Sequence, residues 1–302
     1  MSNIKRVIIA AISIVSFIGI GLVLLDYSIE DDPVETVQEP ITLGYKIVGL
    51  NQFKPKVAHI ELPSITVFNW RLAEKKVQPG LHGLMRFGPI KVDQSIVANV
   101  VKAAHSAKIN PALLMAIAEK ESNFVTKAKA KTSSATGLFQ FIDRTWFKVM
   151  KKFGPRYGYT QEARAITDDS VNSRKRVQIL SLRNDSFLSA ALAAEMLKRE
   201  SGELADKIGR PLSAGETYLI HFLGIEDAEK FMTTLVASPN APAAALLPQP
   251  AQANKPIFYA KQGQPLTIAQ VHSVFESMMG KRFKRYQNVA TKLPKGAIAY
   301  TE

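Results

Sequence analysis

The sequence predicts a mainly α-helical domain carried behind a single N-terminal membrane-spanning helix. Three observations lead there. Residues 7–25, VIIAAISIVSFIGIGLVLL, form an uncharged apolar run. From Asp93 onward, apolar residues recur at helical spacing in one segment after another, each bounded by a cap or a stop. Short β-leaning pieces such as VAHIEL and SITVFNW are confined to residues 26–92, where no helical period is sustained.

Taken in order, residues 1–6 are a cytoplasmic tip and residues 7–25 a transmembrane anchor. At 1.5 Å per residue the run is roughly 28 Å long, close to the hydrocarbon thickness of a bilayer. Lys5 and Arg6 precede it, whereas Asp26, Glu30, Asp31 and Asp32 follow, so the positive-inside rule carries the rest of the chain across the membrane. A cleaved signal peptide is the competing reading. The run is longer than the usual signal core, and no A-x-A-like site follows it. Residues 26–92 read as a stalk or small irregular subdomain.

The helical domain is expected over residues 93–237. Asp93 is placed to cap DQSIVANVVKAAHSAKI, and Asn110 with Pro111 opens NPALLMAIAEKES. Asp143 is expected to cap RTWFKVMKKFG, which stops at Gly154 and Pro155. A further helix is expected from about Asp185 to Glu200 with Gly202 as its stop. Ser213 and Glu216 have capping-box spacing before TYLIHFLG, which ends at Gly224. Residues 238–265, rich in Pro and Ala, read as an extended connection. Residues 266–302 hold a last helix, again opened by a capping-box pair, Thr267 and Gln270, and a tail.

Charge and composition narrow the function. Residues 91–302 carry 30 of the 39 basic side chains and 18 of the 26 acidic ones, so the positive excess belongs to the helical part and favours a polyanionic partner. The absence of cysteine excludes a disulfide framework and Cys-based zinc sites. His59, His82, His105 and His272 show no metal-ligand spacing, and neither a phosphate-binding Gly loop nor a Ser/His/Asp motif is present, so no metal or cofactor is expected. KRFKRY, residues 281–286, interleaves aromatic and basic residues as polymer-binding patches do, although a solvated helix end explains it more simply.

The chemistry concentrates in AEKESNF, residues 118–124. On a helical wheel with Leu113 at zero, Glu121 falls near 80°, within the apolar stripe, and Glu119 near 240°, where it reads as a solvated surface charge. A carboxyl at the C-terminal end of a helix among apolar neighbours loses hydration and meets the negative end of the dipole. Both effects favour the protonated form that a general acid needs. The plainer reading is a buried Glu satisfied by Lys or Arg.

The residues around it resemble the soluble lytic transglycosylase (SLT) domain, which is related to goose-type lysozyme. The resemblance rests on Pro111-Ala-Leu-Leu, Glu121-Ser122, Phe124, Ala128, Gly137-Leu138-Phe139-Gln140, and Tyr218-Leu-Ile-His221-Phe-Leu-Gly224, and spans residues 93–237. It implies a lysozyme-like helical fold and cleavage of the β-1,4 bond between N-acetylmuramic acid and N-acetylglucosamine in bacterial peptidoglycan. Glu121 would be the single acid/base, and 1,6-anhydromuramic ends the product. Ser122, Gly137, Leu138, Phe139, Gln140, Tyr218 and His221 would contact substrate. Gly137 would let the backbone approach a sugar, Phe139 (Met in many relatives) would supply an apolar platform, and Gln140 would meet an acetamido group. Tyr218 would point at Glu121. His221 stands where relatives more often have a small residue or Asn.

Asp143, Glu195 and Glu200 are the other acids considered as partners, each explicable as a cap or solvated face. The implied location is the periplasmic side of a bacterial inner membrane, held by residues 7–25, with peptidoglycan strands as partner, an envelope machine for secretion, conjugation or division as a further one, and no nucleic acid. A hydrolytic muramidase and a non-catalytic peptidoglycan-binding scaffold are the alternatives.

Overall fold

The computed structural model describes residues 83–167, 171–294 and 296–297. The expected anchor at 7–25 and most of the expected stalk lie outside the described residues. Among the described residues, no helix is long and apolar enough to cross a membrane.

The described residues begin about ten positions before the expected domain start, with an antiparallel hairpin. Strand β1 (Leu84–Phe87) pairs with β2 (Ile90–Asp93), Phe87 opposite Ile90, around the two-residue turn Gly88-Pro89. Gly88 has φ 61°, the positive value that a tight hairpin turn needs at its first position. Alternation turns Phe87 and Val92 inward, both 1% exposed, and burying side chains of this size is worth about 2 kcal/mol each. Phe87 packs against Tyr286 with ring centroids 5.1 Å apart. A four-residue strand is too short to show its period against a Pro- and Gly-rich background, so the sequence reading placed it in the irregular segment.

Helix α1 (Gln94–Ala107) starts where Asp93 accepts a hydrogen bond from the Ser95 amide, and α2 (Pro111–Ser122) where Asn110 accepts from Ala112. The loop after α2 is laced by the small bridges Lys129 to Thr136 and Thr136 to Phe141. Next come α3 (Asp143–Phe153), α4 (Thr160–Arg164), α5 (Ser173–Ser181) and the long α6 (Ser186–Ile208). Asp143 does not cap α3. Ile142 holds the cap position and makes no side-chain cap bond, while Asp143 takes ion pairs from Arg176 and Arg183 at 2.7 and 3.0 Å.

Gly202 does not stop α6 either. Two residues later the wholly buried Leu204 anchors the continuing helix, which ends at Gly209 in the left-handed conformation. An exposed glycine inside a helix costs only about 1 kcal/mol, which burial of that leucine offsets.

Helices α6 and α7 (Ala214–Leu223) form the centre. Phe187 through Leu197 are buried without a break, as are Gly215 through Leu223. Helix α7 opens with the expected capping box of Ser213 and Glu216 and ends at Gly224, after which α8 (Ile225–Ala237) begins.

Residues 238–265 are not an extended connection. They fold into three short helical turns, α9 (Ala243–Leu246), α10 (Pro248–Ala253) and α11 (Lys255–Phe258), that bury Ala243, Ala251 and Phe258. Prolines at the first turns of α10 and α11 start helices here rather than forbid them.

The last long helix, α12 (Ile268–Tyr286), carries the expected Thr267/Gln270 capping box and is followed by α13 (Val289–Lys292). Helix α12 is no free tail: it packs along both α7 and α2, while α1 packs along α6. Gly215 marks how closely α7 and α12 approach, since a Cβ there would stand 2.9 Å from the Glu276 Cα. The result is a mainly helical unit in which α12, the last long helix, covers one face of α2.

Candidate active site

Two elements bring three of the expected residues together. The end of α2 presents Glu121, and the middle of α7 presents Tyr218 and His221 on one face. The Tyr218 hydroxyl donates to Glu121 Oε1 at 2.7 Å, and His221 Nε2 lies 3.8 Å from the same oxygen. The Glu121 side chain is 11% exposed, so it faces α7 while keeping a small opening to solvent. The two rings stack, with centroids 5.9 Å apart and planes 28° from parallel.

Among the described residues, the Glu121 carboxyl makes no ion pair with a lysine or arginine. Burial raises the Tyr218 pKa well above the usual 10, helped by the adjacent carboxyl, so the phenol stays a neutral donor. Burial also pushes the His221 pKa below the usual 6.5, against the pull of Glu121 and of a hydrogen bond to the Phe139 backbone. An imidazolium at 3.8 Å would favour the carboxylate; a neutral imidazole exerts no such pull. Lys120, next along α2, has its pKa lowered, again chiefly by burial, with Glu121 opposing and Arg282 adding to the shift.

Glu119 is the opposite case, and here the wheel is corrected. It is no solvated charge: only 9% of the residue is exposed. Arg285 Nη1 donates to both carboxylate oxygens at 2.5 Å, the Tyr286 hydroxyl donates to Oε2 at 2.6 Å, and Arg282 Nε lies 3.2 Å from Oε1. Burial, with Glu119 adding to it, raises the Tyr286 pKa and keeps that phenol a donor. Three members of the 281–286 stretch thus serve neither a polymer patch nor a solvated helix end. They grip α2. A wheel drawn for α2 alone has no term for a helix that returns 166 residues later.

The 137–140 loop is built differently from the expectation. Ser122 Oγ donates to the Leu138 carbonyl at 2.9 Å and to the Ala118 carbonyl at 3.2 Å, so it ties the loop to the end of α2. Gly137, at φ 88°, is required by the chain itself: a Cβ there would stand 2.2 Å from the Arg183 carbonyl oxygen. The close approach seen here is to the Arg183 backbone.

Leu138 and Phe139 are both wholly buried, so the Phe139 ring offers no platform to a sugar and the Leu138 side chain no contact. Gln140 spends its amide nitrogen on the Gly137 and Ala128 carbonyls, at 2.8 and 3.2 Å, which leaves its oxygen for a ligand. Arg183, unnoticed in the sequence, pins the loop from the other side through one nitrogen that donates to Ser134 O, Phe141 O and Asp143. A lone arginine between two helices carries no sequence signal of such a role.

The remaining acids are engaged elsewhere. Asp143 is held by Arg176 and Arg183 as above. Glu195 accepts from Tyr157 at 2.8 Å and pairs with Arg156 at 2.6 Å. Glu200 lines a cavity between α3, α6 and α8. Glu216, His272 and Glu276 place ligand-type atoms within 4.8 Å of one another. However, Arg210 already bonds both Glu216 oxygens at 2.7 and 2.8 Å, and His272 bonds one at 3.1 Å. A fixed guanidinium in that position opposes a second cation, so the cluster acts as a clamp between α7 and α12. Burial works against ionisation of Glu216, but the hydrogen bonds from Arg210, His272 and the Ser213 backbone outweigh it and hold the carboxyl well below the usual range.

Residues 98–214 match the family described as the transglycosylase SLT domain. The matched segment contains α2 with Glu121 and the 137–140 loop. It stops at the first residue of α7, so Tyr218, His221 and all of α12 lie beyond it. The similarity supports a lysozyme-like helical fold and, in general terms, transglycosylase action on peptidoglycan.

Proposed function

We propose that this chain is a peptidoglycan lytic transglycosylase in which Glu121 is the acid and base of a single-carboxylate mechanism. The observation that carries the reading is the pairing of Glu121 with two neutral groups, Tyr218 at 2.7 Å and His221 at 3.8 Å, inside a domain with transglycosylase similarity. Glu121 donates its proton to the glycosidic oxygen between N-acetylmuramic acid and N-acetylglucosamine. The resulting carboxylate then takes the proton of the muramoyl 6-hydroxyl, whose oxygen closes onto C1 and leaves a 1,6-anhydro end. Tyr218 orients the carboxyl by its hydrogen bond, and neutral His221 fills the space behind it without supplying a charge.

Usual glycosidases pair two carboxylates across the scissile bond. With Asp143 and Glu195 held in ion pairs and Glu200 in the α3–α6 cavity, the intramolecular route, which needs no second acid, fits this site better than hydrolysis. Residues 7–25 hold the protein in the inner membrane with the catalytic domain in the periplasm, where the positive excess of the helical part suits a wall polymer bearing carboxylates. Digestion of purified sacculi, with product masses recorded, tests the reading. Anhydro-muropeptides from the unaltered chain and almost none from Glu121→Gln are expected; products heavier by one water, or equal yields from both proteins, defeat it.

A further inference from the structure

Away from Glu121, a cavity of about 300 Å³ opens between α3, α6 and the start of α8, a volume at the small end of those that hold ligands. Its charged lining is ordered. Arg144, Lys148 and Lys152 follow one another at four-residue intervals on α3, a cationic ladder with rungs about 6 Å apart. Arg199 of α6 adds a fourth cation, and Glu226 and Asp227 face them from the first turn of α8. Phe153, Met196 and Leu223 supply an apolar floor. Leu223 ends the same helix that lends Tyr218 and His221 to Glu121, so one element serves both places.

We propose that this cavity binds the peptide branch of a wall strand, with its carboxylates along the α3 ladder and its free amine toward Glu226 and Asp227. The inference rests on the peptidoglycan reading above and adds to it a site for the non-sugar part of the substrate. A backbone of N-acetylated sugars carries no charge, so four cations have nothing to recognise in it. The charge of such a polymer resides in its peptides, which present several carboxylates and an ammonium group within a few residues. A ladder of cations facing acids over an apolar floor matches that alternation, whereas a simple polyanion would be repelled by the α8 wall. Burial raises the pKa of Glu200 against the pull of Lys148, so this wall acid offsets the ladder less than a surface carboxylate would.

The test uses the full chain bearing Glu121→Gln, so that bound strands stay intact, titrated calorimetrically with three probes. These are peptide-bearing glycan oligomers, the same oligomers stripped of peptide by an amidase with the lactyl carboxyls so freed then amidated, and a synthetic branch tetrapeptide alone. Peptide-bearing strands should bind about tenfold more tightly than stripped ones, the size expected of several exposed charge pairs acting together. Adding Lys148→Glu and Lys152→Glu should abolish that difference and the binding of free tetrapeptide while leaving affinity for stripped strands unchanged. Lys152→Gln, a milder change at an exposed position, should halve or better the preference if the double variant folds poorly.

Equal affinity for both strand types, or a preference that survives these substitutions, overturns the proposal. So does undiminished binding of a tetrapeptide whose carboxylates are amidated. Failure of the transglycosylase reading shows differently: stripped strands are neither bound by the Glu121→Gln chain nor cut by the unaltered one, whatever the tetrapeptide does.

Discussion

Helix α2 ends in two glutamates two residues apart, and the structure treats them in opposite ways. Glu119 faces α12 and is saturated by two arginines and a tyrosine; Glu121 faces α7 and meets a neutral phenol and a neutral imidazole. Both are largely shielded from water, so burial does not separate them. What separates them is compensation. A carboxylate gripped by guanidinium groups is a structural pin, whereas one met by neutral donors is not committed to an ion pair. The carboxyl expected to lie outside became the pin, and the one expected inside meets a phenol and an imidazole.

The largest expected effect of breaking this contrast is chemical. Glu121→Gln should lower the rate of wall solubilisation by about 10³-fold, within the range for loss of a general acid. Its thermal midpoint should remain close to that of the unaltered chain. Next come two structural lesions. Glu119→Gln weakens a buried ionic cluster and should cost about 3 kcal/mol in urea unfolding. Gly137→Ala drives a Cβ into the Arg183 carbonyl from a left-handed backbone and should destabilise by at least as much, lowering activity only in proportion to the unfolded fraction. Tyr218→Phe removes the phenol's hydrogen bond to Glu121 and should slow cleavage about tenfold, since such bonds are worth about 1.4 kcal/mol. Phe leaves the aromatic packing in place, so the midpoint should barely move.

Acid sharpens the comparison further. The folded chain holds the His221 imidazole neutral below its usual 6.5, while the unfolded chain takes up a proton there. Stability should therefore decline as pH falls through that value, because the unfolded state binds more protons. Glu216, held ionised well below the usual 4.5, adds a second decline as pH falls below that value. Both groups contribute fully at neutral pH. Chemical denaturation from pH 8 to 3 should show two steps, and a tolerated His221→Phe variant should lose only the upper one.

Much of this could be read from residues. The caps at Asp93, Asn110, Ser213/Glu216 and Thr267/Gln270 and the stop at Gly224 are local interactions, and local interactions are written in neighbouring positions. The inward aim of Glu121 followed from the same logic. What escaped was long-range: Gly202 resembles a stop unless the burial of Leu204 is known, and Asp143 resembles a cap unless Arg183 is seen to claim it. Residues 238–265 have too little pattern to show that α9, α10 and α11 would find a surface to bury against. Phe139 looked like a platform for sugar because a short loop motif does not say which of its side chains turn inward.

The central claim is that compensation, not burial, divides the labour between the two glutamates. Its most direct test is a single side-by-side assay of Glu119→Gln and Glu121→Gln, with anhydro-muropeptide yield per folded molecule measured on the same sacculi. The account predicts near-normal yield per folded molecule from the first and almost none from the second. Loss of product from Glu119→Gln with product retained by Glu121→Gln would contradict it.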